Sequence, residues 1–319
     1  MREVLASEML EALGVPTSRS FSLIETGEAL ERNDEPSPTR SAVLVRLSHG
    51  HIRIGTFQRL AHLRDADAMR RLVAYTLGRL FGEPGDDPVR LLHLVVERTA
   101  RLAARYMAAG FVHGVLNSDN INVTGESFDY GPWRFAPTWD PAFVAAYFDH
   151  AGLYAFGRQP EAIHWDVMQL AVSLRLLVEA APLIEALDGF GAAYQPQVAE
   201  AMLWRMGRRP RAADEDRALV QTVERAMRAS GVAIDGFFHD VFARDLPVSY
   251  GEDWAEVRAA IAPFPLRRAR DHAIWNGAPV GMAIEEVETI WRAIDTADDW
   301  RPFAAKIESV RALGQALSD

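Results

Sequence analysis

Cysteine is absent from the 319 residues. That excludes a disulfide framework, thiolate chemistry and any metal site built on Cys. Lysine is nearly absent as well: Lys306 is the single lysine among 34 basic residues, and it lies far along the chain. No apolar stretch reaches the roughly 18 residues that mark a membrane span, and the N-terminus lacks a basic-then-apolar signal. The expected compartment is therefore cytoplasmic, with no membrane partner. Positive charge is in deficit, giving a formal net charge of −10 and a pI of about 5.4. Such a balance argues against sequence-independent binding to nucleic acid or to anionic lipid. Internal repeats and low-complexity linkers are also missing. Hydrophobic residues, at 49%, suffice for a sizeable core in one large domain or two.

The informative stretch is Phe111–Pro132, FVHGVLNSDNINVTGESFDYGP. It gathers His113, Asn117, Asp119, Asn120 and Asp129. An apolar helical run leads in, and two short β-like pieces, Ile121–Val123 and Ser127–Tyr130, flank Gly125. Helix, polar loop, hairpin and then an acidic residue before a Gly-Pro break is the order used by a protein-kinase catalytic core. The chemistry accounts for the spacing. Mg²⁺ prefers carboxylate and amide oxygens, which Asp129 and Asn120 supply, and a tight hairpin can bring both to one ion. Mn²⁺ accepts the same donors. Asp119 can take a proton from an incoming hydroxyl. His113 and Asn117 read as residues that shape the loop. A polar surface loop built from common turn formers is the competing reading.

Around this stretch the pattern is mostly helical. Arg2–Leu13 is amphipathic, with Gly14 as a C-terminal cap and Pro16 preventing continuation. Phe21–Ile24 and Ser41–Leu47 read as strands, and Glu25–Arg40, with Gly, Asn, Asp and two Pro, reads as a loop. Arg46 and Arg53 flank a turn, and a guanidinium fork suits phosphate oxygens. Ala68–Phe81 and Asp87–Ala109 are long helices, and Trp133–Phe148 is an aromatic, Pro-containing cover. Glu161–Ala180 is a helix whose Trp165, Leu170 and Leu174 are expected in the core. Helices continue at Val198–Met206, Asp214–Ser230, Gly236–Ala243, Trp254–Ile261, Ile284–Ile294 and Trp300–Leu317. PLRRAR at Pro265–Arg270 reads as a surface turn rather than a phosphate site.

HGVLNSDN followed by FDYGP resembles the selenoprotein O family (SelO, also called YdiU), protein adenylyltransferases with a kinase-like fold. Three further blocks are similar in the same order: REVLASEMLEALGVPTSRSFSLIETGE at Arg2–Glu28, LVRLSHGHIRIGTF at Leu44–Phe57, and YAFGRQPEAIHWDVMQLAVSL at Tyr154–Leu174. The resemblance covers Met1–Leu174. It implies an α+β, mostly α fold of protein-kinase type. Residues 1–60 would be a remnant of the small lobe, 61–264 a complete helical large lobe and 265–319 a C-terminal helical tail. It implies transfer of AMP from Mg-ATP to Ser, Thr or Tyr hydroxyls of proteins. Asp119 would be the catalytic base, Asn120 and Asp129 the metal ligands, and Arg46 and Arg53 the phosphate contacts. Glu3 would be the helix glutamate of the nucleotide site, with Glu8 the choice in a shifted register.

Two departures qualify that expectation. RRARDHAIWNG at Arg267–Gly277 replaces the family's Arg-Asn-His segment. The glycine-rich loop and ATP-contacting lysine of the family have no counterpart, so an impaired or incomplete transferase is expected, with a separately encoded N-terminal piece as one implied partner. A pseudoenzyme that keeps the fold and binds without transfer is the alternative.

Overall fold

The structure is a computed structural model, and it describes residues 1–31 and 37–318. Eleven α-helices and four strands are present among the described residues. The chain begins in helix α1 (Arg2–Ala12), which buries Leu5, Met9 and Leu10. Leu13 closes it, and Gly14 takes φ +73 where a Cβ would press on Trp204 and the Arg105 guanidinium at 3.3 Å. An antiparallel hairpin of β1 (Arg19–Leu30) and β2 (Thr39–Leu47) follows, irregular between Ser20 and Ser22 and between Glu25 and Ala29. The expected loop at Glu25–Arg40 is thus largely strand at both ends, because pairs such as Leu30 with Thr39 extend the ladder. Its middle, residues 32–36, lies outside the described residues.

A short helix absent from the pattern reading, α2 (Ile54–His62), comes next, then α3 (Ala66–Thr76), which continues as one π-helical turn to Phe81. The central element is α4 (Pro88–Ala109). Asp87 caps it by accepting from Val89 N, proline occupies its first turn, and Gly110 ends it at φ +69. Fifteen of its residues are buried, because α5 (Gln159–Leu174) and α6 (Ala180–Arg205) pack along it. Strands β3 (Phe111–Val112) and β4 (Arg134–Phe135) form a second small antiparallel sheet that bounds the loop between them.

The remaining helices are α7 (Ala213–Ser230), α8 (Ile234–Val241), α9 (Ala255–Ile261), α10 (Ile284–Ala297) and α11 (Arg301–Ser318). The last helix returns to the first: Arg311 holds Glu8 at 2.6 Å, and Val310, Leu313 and Leu317 join the core that contains Leu5 and Leu10. Lys306 serves within this layer, donating to Glu286 of α10 at 2.6 Å. The architecture is α+β and mostly α.

Two expectations change here. Trp165 is 52% exposed, whereas Ile163, Val167, Leu170 and Leu174 form the buried face of α5. The helical period places Asp166, not Trp165, on that face. In the Pro265–Arg270 cluster, Arg267 donates to the Leu317 carbonyl and Arg270 to the carbonyls of His239 and Phe242 at 2.6 and 3.1 Å. These arginines tie the ends of α11 and α8 together rather than forming a free surface turn. No helix of the described residues is long and apolar enough to cross a membrane.

Candidate active site

The loop after β3 is pinned from two sides. The β-like pieces expected to pair with each other pair elsewhere. Ile54 N donates to Ile121 O at 3.1 Å, Gly55 N to Ser118 O at 3.1 Å and Val123 N to Ile52 O at 3.0 Å. The loop carbonyls therefore satisfy the first amides of α2, which have no partner within their own helix. Further on, Ser127 N donates to Pro16 O at 2.7 Å and Ser18 N to Ser127 O at 3.2 Å. The turn between them sits directly on α4. At Gly125 (φ +72) a Cβ would lie 2.7 Å from the Arg98 carbonyl oxygen.

Asp119 stands at the tip of this arrangement. Its backbone N–H donates to Asn117 Oδ1 at 3.1 Å, which gives Asn117 the loop-shaping role its position suggested. Its carboxylate lies against Gly55, where a Cβ would overlap it. The neighbouring Ser118 hydroxyl donates to Gln58 Oε1 at 2.6 Å. Asn120 Nδ2 donates to Val115 O at 2.8 Å, which fixes the amide and leaves its Oδ1 as the acceptor facing other partners.

Asp129 adopts φ +56, a left-handed conformation that Asp tolerates better than most residues. His113 holds the residue before it. The imidazole is fully buried; Val115 N–H approaches Nδ1 at 3.4 Å, and Nε2 lies 3.3 Å from the Phe128 carbonyl oxygen. Nε2 is thus assigned as the protonated nitrogen. Burial pushes the His113 pKa down to about 4, outweighing the Phe128 bond and the Asp129 charge. The ring is neutral and structural at pH 7, as its position in the loop suggested. Gln159 completes the support by donating to Phe111 O at 2.7 Å and accepting from His113 N at 3.1 Å.

The arginines reach this loop from the other side. Arg46 donates to Glu3 Oε2 at 2.8 Å and lies over the Tyr130 ring at 5.5 Å. Arg53 approaches Asp129 Oδ2 at 3.7 Å and lies over the Phe128 ring at 5.1 Å. Burial raises the Glu3 carboxyl to about 7; Arg46 opposes this and the Asp129 charge adds to it. Glu3, Arg46, Asp129 and Arg53 therefore form one electrostatic group along the loop. Glu8, the shifted-register choice for Glu3, is instead committed to Arg311.

Among the described residues no three His, Asp or Glu side chains gather as a metal cluster. The available donors are the Asn120 amide oxygen and the half-exposed Asp129 carboxylate, both hard oxygen ligands. Donors of this chemistry are the kind that Mg²⁺ or Mn²⁺ accepts.

Pattern reading missed several supports. Tyr130 packs under Arg46 and bonds the Thr17 hydroxyl, and its place between Asp129 and Gly131 was the signal. Gly55 needs to lack a side chain because of Asp119, which no local pattern encodes. Glu126 accepts from the ring nitrogen and backbone N–H of His49 at 2.6 and 3.1 Å, a partner for a histidine without an assigned role.

The chain matches curated proteins named protein nucleotidyltransferase. The family model described as protein adenylyltransferase SelO matches residues 1–263, and the chain belongs to that family. A protein nucleotidyltransferase YdiU of Gloeobacter violaceus is 39% identical over 340 residues, spanning 98% of this chain and 69% of the relative. One from a Synechococcus species is 38% identical over 357 residues, spanning 100% of this chain and 71% of the relative. One from Pseudomonas entomophila is 35% identical over 247 residues, covering 76% and 50% respectively.

Proposed function

We propose that this chain transfers AMP from ATP to Ser, Thr or Tyr hydroxyls of proteins. In this reading the fold is kinase-like: residues 1–60, with α1, β1 and β2, correspond to part of the small lobe, 61–264 to the helical large lobe and 265–319 to a C-terminal helical tail. The substrate oxygen attacks the α-phosphorus, the bond from that phosphorus to the bridging oxygen breaks, and pyrophosphate leaves. Asp119 accepts the hydroxyl proton. Asn120 and Asp129 would hold Mg²⁺ or Mn²⁺, whose charge offsets that of the phosphates. Arg46 and Arg53 bind phosphate oxygens, with Glu3 and Asp129 holding their guanidinium groups in place beforehand.

The observation that carries the reading is the Glu3–Arg46 and Arg53–Asp129 array lying along the loop that presents Asp119 and Asn120. The test is incorporation of label from α-labelled ATP, with Mg²⁺ or Mn²⁺, beside Asp119→Asn. Label that requires Asp119 supports transfer. Equal label in both proteins removes Asp119 as the base, and label from γ-labelled ATP instead would make the reaction a phosphoryl transfer.

A second reading is a binding module without transfer. It is favoured by Lys306, whose ammonium is taken up by Glu286 between α10 and α11, away from the loop. Metal-dependent ATP binding with no incorporation by folded protein would select it.

A further inference from the structure

A groove of about 740 Å³ lies apart from every residue assigned above to the reaction. Its walls are nonetheless the connectors of that site. Ser48 and His49 join Arg46 to Arg53, and Thr124–Glu126 join Asn120 to Asp129. Gly125 seats this wall directly on α4.

The charges lining the groove do not cancel. Glu11 is paired with Arg19 at 2.6 Å. Glu126 is occupied by His49 and by the Thr124 hydroxyl at 3.2 Å. Arg98 and Arg101 remain, one turn apart on the exposed side of α4, and neither has a carboxylate partner among the described residues. His49 bonds Glu126 without adding a formal charge, so the lining carries an excess of one positive charge; in a chain of net charge −10, two guanidinium groups without an ion-pair partner facing one groove favour an anion there. The groove is also apolar: Leu47 is 56% exposed there, and Leu80 and Phe81 are half-buried beside it. A bare inorganic anion would use the arginines and leave this apolar wall wet. An extended peptide with carboxylates next to a leucine or phenylalanine meets both.

We propose that this groove docks an acidic, apolar-anchored segment of the protein whose hydroxyl is modified. Calling that protein a substrate rests on the proposed transferase reading; the groove chemistry does not. Contact with the two connectors would place the docked chain beside the segments that carry Arg46, Arg53, Asn120 and Asp129.

The test is fluorescence anisotropy of the full chain with a short labelled peptide of Glu, Asp and Leu. A Lys-Leu peptide of equal length is the control, and inorganic pyrophosphate is the competitor. The acidic peptide is expected to bind, more weakly as salt rises. Arg98→Ala with Arg101→Ala should weaken it about tenfold, from two exposed ion pairs of up to about 1 kcal/mol each. Both side chains are exposed, so the unfolding midpoint should be unchanged. Leu47→Asp, which places a like charge on the apolar wall, should weaken binding independently. Equal affinity in wild type and both variants overturns the proposal, as does pyrophosphate binding without peptide binding. Asp119→Asn should bind the peptide normally. A chain that binds it but transfers no AMP retains the docking groove and loses only the transferase reading.

Discussion

Asp166 offers the sharpest physical test of the fold. It lies on the buried face of α5 with no solvent exposure, and neither carboxylate oxygen has a hydrogen-bond partner. Burial alone raises its pKa from 3.8 to about 8. The shift is about four units, and at about 1.4 kcal/mol per unit the ceiling is on the order of 5 kcal/mol. Local relaxation lowers this, and about 2–4 kcal/mol is the expected effect. Below pH 3.8 the group is protonated in both states and costs nothing. Between there and about 8 the unfolded chain releases a proton that the folded chain keeps, so stability falls as pH rises. Above about 8 both states are ionised and the full penalty remains. Asp166→Asn lacks this titration. Urea unfolding of both proteins at pH 5, 7 and 8.5 should show wild type losing stability relative to the variant across that range, with the gap levelling at the top. Parallel profiles would refute the reasoning and mean that the carboxylate is hydrated or paired.

Two further outcomes follow from the proposed transferase reading. Because the Glu3 carboxyl is raised to about 7, chiefly by burial, its protonation below that pH releases Arg46 from a charged partner. ATP affinity measured by calorimetry should tighten as pH falls through 7 in wild type, and Glu3→Gln should remove that step; an unchanged pH slope in the variant would count against the coupling. Gly55→Ala puts a methyl group where the Asp119 carboxylate lies. Overpacking of this kind costs about 1–3 kcal/mol, and a displaced base should lower AMP incorporation by about tenfold or more while the protein stays folded. Normal incorporation by the variant would show that Asp119 need not sit where it does.

Most helices were legible because burial imposes a period on the sequence, but α5 ends at Leu174 rather than Ala180 and α6 starts at Ala180 rather than Val198. The residues of α4 and α7 repeat every three or four positions, and Asp87 and Gly110 mark the ends of α4. The extension of β1 to Leu30 was hidden by turn formers that a ladder can tolerate near its end. Helix α2 was hidden for a different reason. Only Ile54 and Phe57 are buried along its nine residues, and its first amides are capped by loop carbonyls far along the chain. Trp165 misled because hydrophobic size was read as burial, while the phase of α5 puts it on the outer face.

The candidate site residues were proposed from sequence, and their pairing was not legible there. The loop residues declare themselves because Asn, Asp and Gly in that order satisfy a local chemistry. What holds each one depends on chain segments that meet only after folding. Arg46 finds Glu3 from β2 to α1, Arg53 finds Asp129 from the start of α2, and Asp119 is confined by a glycine whose own neighbourhood gives no sign of it. A guanidinium held by one carboxylate already has its geometry fixed, so a phosphate arriving there loses less to ordering the arginine but must compete with the carboxylate. In Glu3 that competitor is weakened, because burial leaves its charge only marginally favoured near pH 7. The same burial that makes the glutamate an uncertain anion makes Arg46 an available cation, and neither property can be read from the identity of either residue alone.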